Sequence, residues 1–173
     1  MKFCLVDKIN SIETSEDAPR HQRIVTVKAL SLAEEYLADH FPAFPVLPGV
    51  LMLEAMVQSA AWLVRLEQNW ARSMVVLGEA RNVRYASFVR PGQMLRCEVT
   101  AKSIGDDISK FQATAMIDEA QAVSARLALR SFNLRDRQGY LAEADERIVA
   151  DLRERFKLAR GPEALTAAST APG

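Results

Sequence analysis

The stretch HFPAFPVLPGVLMLE, His40–Glu54, decides how this chain is read. It sets one of the chain's two histidines ahead of three prolines, then a Pro-Gly helix start, then a single carboxylate on an otherwise apolar helix. Pro48 suits the first helical position, where its fixed φ fits and its missing N–H would have had no partner anyway. From Gly49 the run VLMLEAMVQSAAWLVRL has apolar residues on every side, the mark of a buried helix. Within its first three turns the strongly polar side chains are Glu54 and Gln58, spaced i,i+4 and so on one face. A buried carboxyl is costly unless paired, and burial in general raises a carboxyl pKa, which lets such a group act as a general acid. Gln58 is spaced to hold Glu54 in one orientation. The alternative is a structural Glu54, hydrogen-bonded to backbone or to a partner subunit.

Outward from the helix, the first N–H groups have no internal partner and sit at the positive end of the macrodipole. Pro48 has no N–H, so Gly49 supplies the first donor, and without a Cβ it lets a carbonyl approach closely. That is the pattern of an oxyanion site, although Pro-Gly helix starts also occur for purely structural reasons. His40 stands at the mouth of the loop, behind a short helical segment, SLAEEYLAD at 31–39. Alone, a histidine beside an aromatic is as well explained by packing. A base, an oxyanion donor and an acid within one segment suit proton abstraction α to a carbonyl with loss of a β-hydroxyl.

HFPAFPVLPGVLMLEAMVQ resembles the signature of the FabZ-type 3-hydroxyacyl-acyl-carrier-protein dehydratases, with His40, Phe41, Pro42, Pro45, Pro48, Gly49, Glu54, Ala55 and Gln58 in register. The isomerising FabA type carries Asp where this chain has Glu54, so the likeness favours the FabZ branch. FCLVDKI at 3–9 is similar to the family's opening strand, and FVRPGQML at 88–95 to its Pro-Gly-Asp turn. Ala43 stands where the family has Gly, and Gln93 where it has Asp. The resemblance implies an α+β hotdog fold, a curved antiparallel sheet wrapped around one long helix. It implies a (3R)-3-hydroxyacyl thioester on the phosphopantetheine arm of an acyl carrier protein, converted to a trans-2-enoyl thioester and water. His40 is then the base, Glu54 the acid, Gln58 its orienting partner and Gly49 the donor to the thioester carbonyl. In the family these groups meet across a homodimer interface, and a trimer of dimers is a further assembly. No metal or organic cofactor is implied beyond the arm that carries the substrate. Two rivals remain: a hotdog acyl thioesterase, and a non-catalytic carrier-binding module of the same fold.

The remaining sequence agrees. A length of 173 residues points to one domain, and 49% hydrophobic content supports a core. A formal net charge of zero argues against a nucleic-acid binder that relies on bulk electrostatics. The start, MKFCLVDKIN, lacks the pattern of a signal peptide. Glu54, Gln58 and Arg65 interrupt the most apolar run, so no membrane span is expected. Cys4 and Cys97 lie in strand-like segments and read as reduced core residues of a cytoplasmic protein. Two histidines and two cysteines, scattered, make no metal motif. Phe88, Trp62 and Met56 are candidates to line an acyl tunnel. Arg81, Arg84 and Arg90 are candidates for a basic patch facing an acidic carrier, or else a solvated strand face.

Residues 2–12 and 22–30 read as strands around a polar turn, followed after the helix by strands over 75–89, 94–104, 110–118 and 121–135. The hotdog domain is expected to span 1–140. Residues 141–160 read as an amphipathic helix with the stripe Ala144, Ile148, Leu152 and Phe156, packed on the domain or on a neighbour. The end, 161–173, has the composition of an unstructured tail.

Overall fold

The computed structural model describes residues 4–169, with side chains described through Leu165. Strands β1 (Lys8–Thr14) and β2 (His21–Ala29) precede the long helix α1 (Gly49–Glu67). Four strands follow: β3 (Met74–Tyr85), β4 (Met94–Ile104), β5 (Ile108–Ile117) and β6 (Ala120–Phe132). They form one sheet in the order β1-β2-β4-β5-β6-β3, and every neighbouring pair is antiparallel.

Period-two alternation builds the inner face of this sheet. Leu95, Cys97 and Val99 of β4, Phe111, Ala113 and Ala115 of β5, and Val123, Ala125 and Leu127 of β6 are buried, while their sequence neighbours, Ala122 apart, are more exposed. Met52, Met56, Leu63 and Val64 of α1 join the same cluster. Each such side chain contributes about 1.5–3 kcal/mol when fully buried. Alanines on β5 and β6 leave room for the methionines of the helix. One polar pair crosses this core: the Thr26 and Ser59 hydroxyls lie 2.6 Å apart, and Ser59 donates to the Ala55 carbonyl at 2.7 Å. By length and composition α1 could cross a bilayer, yet it is sheathed by its own sheet, with 61% of that segment buried.

Several sequence expectations shift. The first strand begins at Lys8 rather than residue 2, and Cys4 precedes it as an exposed residue, so Cys97 alone is a core cysteine. Residues 2 and 3 lie outside the described residues. Pro48 is the N-cap of α1, one position earlier than expected, and its carbonyl accepts from Leu51 at 2.8 Å and Met52 at 3.2 Å.

Beyond the sheet, helix α2 (Ala142–Leu158) lies against its own domain. Phe156 is buried, with its ring 5.6 Å from both Trp62 and Trp70. Beside the expected stripe, α2 also buries Asp145, whose carboxylate accepts from the Ser73 hydroxyl, the Leu134 and Arg135 N–H groups and Arg135 Nε. The end does not follow the tail composition: helix α3 (Gly161–Ser169) packs on β1, with Ala164 buried. Docking needs a glycine at 161, because a Cβ there would lie 2.2 Å from the Phe156 ring. Residues 170–173 of that expected tail lie outside the described residues.

Candidate active site

The loop ahead of α1 fixes His40. A short 3-10 turn at Glu35–Leu37 delivers the chain, and the His40 N–H donates to Tyr36 O at 3.2 Å. Phe41 takes a left-handed φ of 57°, and a tight turn closes with Phe44 N–H donating to Phe41 O at 2.7 Å. Leu47 N–H then bonds Val89 O at 2.8 Å, which ties the loop to the β3–β4 connection. His40 is half-buried and its Nδ1 lies 2.9 Å from the Val46 carbonyl oxygen. A carbonyl can only accept, so Nδ1 carries the proton and the neutral ring keeps Nε2 as its free lone pair. The other histidine is engaged elsewhere, with His21 Nδ1 2.7 Å from Glu67 at the far end of α1.

On α1 the polar pair is joined. Gln58 Nε2 donates to Glu54 Oε1 at 3.0 Å, and the Leu5 N–H donates to Gln58 Oε1 at 2.9 Å. The backbone donor sets which way the amide points, and the amide in turn sets the carboxylate. Glu54 is half-buried in the single chain, not enclosed as the helix composition led one to expect. The reason is that its face of α1 is open at this end, where Val50 is 69% exposed. Glu54 and Gln58 edge a cavity of about 210 Å³ that runs along one stripe of the helix.

Gly49 opens the helix beside the Tyr85 ring; a Cβ on Gly49 would lie 3.1 Å from Tyr85 Cε1. No acceptor among the described residues meets the Gly49 N–H. Tyr85 was not singled out from sequence, since its approach to Gly49 depends on the return path of β3. Its phenol pKa is raised by burial.

Within one chain the predicted residues fall into two groups. Glu54 and Gln58 share a hydrogen bond and a cavity, whereas among the described residues no hydrogen bond joins His40 to Glu54, and His40 does not line that cavity. Around the helix start lie the exposed apolar side chains Phe41, Phe44, Val50, Tyr85 and Phe88. An apolar patch of this kind marks an interaction surface. Of the tunnel candidates, Trp62 lines the cavity, Met56 is fully enclosed in the core, and Phe88 is exposed and packs edge-on to Phe44. Of the basic candidates, Arg81 pairs with Glu79 and lines an outer groove with Lys102, Lys110 and Arg126, which Arg84 and Arg90 do not reach. No three His, Cys, Asp or Glu side chains among the described residues are grouped to hold a metal ion.

A six-stranded antiparallel sheet around one long helix, preceded by a histidine-bearing loop, defines a hotdog-fold protein. The chain belongs to the FabA-like family, whose domain model matches residues 1–126, from the first strand into β6. It is similar to the protein named 3-hydroxyacyl-[acyl-carrier-protein] dehydratase FabZ of Caulobacter vibrioides, 34% identical over 128 residues that cover 73% of this chain and 77% of that one. The FabZ of Exiguobacterium sibiricum is 36% identical over 126 residues, 72% of this chain and 85% of that one. Among solved structures, the dehydratase heterocomplex ApeI:P from Xenorhabdus doucetiae shares the fold at a TM-score of 0.59 and 18% identity, covering 80% of this chain and 90% of that one. Helices α2 and α3 lie outside the matched family domain.

Proposed function

We propose that the protein dehydrates (3R)-3-hydroxyacyl thioesters, presented on the phosphopantetheine arm of an acyl carrier protein, to trans-2-enoyl thioesters. His40 Nε2 takes the proton from C2, and the C2–H electron pair becomes the C2–C3 double bond. The C3–O bond breaks as Glu54, the general acid, gives a proton to the departing hydroxyl, which leaves as water. The Gly49 N–H and the positive end of α1 hold the thioester oxygen as negative charge builds on it. Gln58 is a positioning residue acting through Glu54. No metal or organic cofactor is called for, since the arm travels with the substrate.

The observation that carries this reading is the presence of a base with a fixed tautomer, His40 on Val46, and of a carboxyl fixed by Gln58 on the wall of a cavity. The separation of those two groups in one chain supports a homodimer in which His40 of one subunit serves Glu54 of the other. β3 supports it too: this twelve-residue strand pairs with β6 on one side only, and a long free edge beside an apolar patch favours pairing with a second copy. The free thiols of Cys4 and Cys97 support a cytoplasmic setting.

The test is turnover of a short 3-hydroxyacyl thioester, on carrier protein and on coenzyme A. Wild type is expected to form the enoyl thioester, and His40→Ala and Glu54→Gln to lower the rate roughly 10²–10⁴-fold with the fold intact. Hydrolysis to free acid would replace this reading with a thioesterase, and binding without turnover with a carrier-binding module.

A further inference from the structure

The cavity that Glu54 lines is lined by two arginines as well. Its lining follows one stripe of α1, with Glu54, Gln58, Trp62 and Arg65 in succession, joined by Arg155 of α2. Val6, Val57, Ala61, Val75 and Leu152 supply apolar walls. Arg65 has no carboxylate partner among the described residues, and its Nε is buried without a hydrogen bond. Trp62 is only 7% exposed, and its Nε1–H is likewise buried without an acceptor. What the cavity lacks is an acceptor for its cations: Arg155, like Arg65, has no carboxylate partner among the described residues. Glu54 is not that acceptor: it lies eleven residues before Arg65, about 16 Å along a helix rising 1.5 Å per residue. The Arg65 guanidinium lies over the Trp62 ring, 5.4 Å from its centroid. Burial without an anion also lowers the Arg65 pKa, to about 10.

We propose that this cavity is a subsite for an acyl chain whose far end is a carboxylate, received by Arg65 and Arg155. The inference rests on the dehydratase reading for what happens at Glu54, and adds the class of substrate: a 3-hydroxyacyl thioester that is also a dicarboxylic acid. A purely alkyl chain would leave both guanidinium groups without a counter-ion; a terminal carboxylate supplies one. The volume of 210 Å³ fits a chain of medium length, since a cavity of roughly 150 Å³ accepts one benzene ring. Because Leu152 and Arg155 belong to α2, the selecting end of the pocket is built partly by the segment that lies outside the family domain.

The experiment compares 3-hydroxyoctanedioyl-pantetheine with 3-hydroxynonanoyl-pantetheine, a methyl-ended chain of about the same length. Calorimetric binding is measured on full-length Glu54→Gln protein, which keeps the pocket and holds substrate without turnover, and kcat/KM is measured on wild type. The carboxylated chain is expected to bind roughly ten- to a hundredfold tighter, the worth of a charge-assisted hydrogen bond. Adding Arg65→Gln should remove that preference and Arg65→Lys should keep most of it. Arg155→Gln, at an exposed position, carries the test if Arg65→Gln fails to fold. Equal or tighter binding of the methyl-ended chain, or a preference untouched by Arg65→Gln or Arg155→Gln, overturns the subsite. A carboxylate preference in binding with no dehydration of either compound keeps the subsite and removes the dehydratase reading. Dehydration of the methyl-ended chain with no carboxylate preference does the reverse.

Discussion

Gln58 donates its side-chain amide to Glu54 one helical turn away, at 3.0 Å, while its own oxygen is held by the Leu5 N–H. The carboxylate is thus aimed by the backbone of the segment before β1, through a single side chain. Replacing Gln58 with Leu should therefore lower kcat about tenfold with little change in KM, the worth of one hydrogen bond of about 1–1.5 kcal/mol. Steady-state kinetics on one 3-hydroxyacyl thioester checks this. A change confined to KM would assign Gln58 to substrate binding.

Gly49→Ala should separate activity from stability. The added Cβ would meet the Tyr85 ring at 3.1 Å, and that ring is half-exposed and free to move by a few tenths of an ångström. Alanine is also the better helix former, by about 0.8–1 kcal/mol in a helix interior. The melting temperature should hold or rise slightly. The kcat/KM should nonetheless fall about 10²-fold, the scale of losing one oxyanion donor, as the methyl group and the displaced Tyr85 crowd the Gly49 N–H.

Mixing two inactive variants tests whether the site is shared. If His40 and Glu54 act across subunits, unfolding and refolding an equal mixture of His40→Ala and Glu54→Gln should restore about a quarter of wild-type activity. Half the dimers are then mixed, and one of the two sites in each is whole, as a two-fold interface requires. A site contained within one chain would stay inactive in the mixture.

Asp145 gives the acid limb of stability. Burial acts to raise its pKa, but hydrogen bonds from Ser73, the Arg135 and Leu134 N–H groups and the Arg135 side chain together outweigh it, so the carboxyl is held well below its ordinary range. A depressed pKa in the fold means stabilisation that is complete above the unfolded value of about 3.9 and is lost as pH falls below it. Urea unfolding between pH 7 and 3 should show wild type losing stability on acidification. Asp145→Asn should be about 1–3 kcal/mol less stable at pH 7, and its deficit should shrink towards pH 3.

Gly161→Ala should loosen the α2–α3 corner. Its Cβ would fall 2.2–2.4 Å from three atoms of the Phe156 ring, and that buried ring is wedged against Trp62 and Trp70. Overpacking of this kind costs about 1–3 kcal/mol, a fall of several degrees in melting temperature for a chain this long. Gly139→Ala, which meets nothing within 4 Å, is the control.

The sequence made some of this legible and hid the rest for physical reasons. His40, Gly49, Glu54 and Gln58 could be named because loop chemistry and helical spacing are local. The strands after α1 could be read because inner and outer residues alternate. Arg65 was visible as the lone cation in an apolar helix, but was read only as an interruption; its spacing from Glu54, on the same stripe, was the signal. Asp145 gave none, since Ser73 lies far from it in sequence and the Leu134 and Arg135 contacts depend on the corner before α2. Helix α3 was misread because Gly161 and Ala164, which look like tail composition, are small residues at its contacts: Gly161 lies against Phe156 and Ala164 is buried.

The chain's two tryptophans stand side by side, with ring centroids 6.2 Å apart and the Phe156 ring of α2 against both. The protein's ultraviolet emission therefore originates from one small region. A carboxylate arriving at Arg65 would alter the surroundings of Trp62, while lifting α2 would uncover Trp70 as well. Filling of the pocket and release of the C-terminal helix can thus be followed, and told apart, by the colour and intensity of unlabelled protein's own fluorescence.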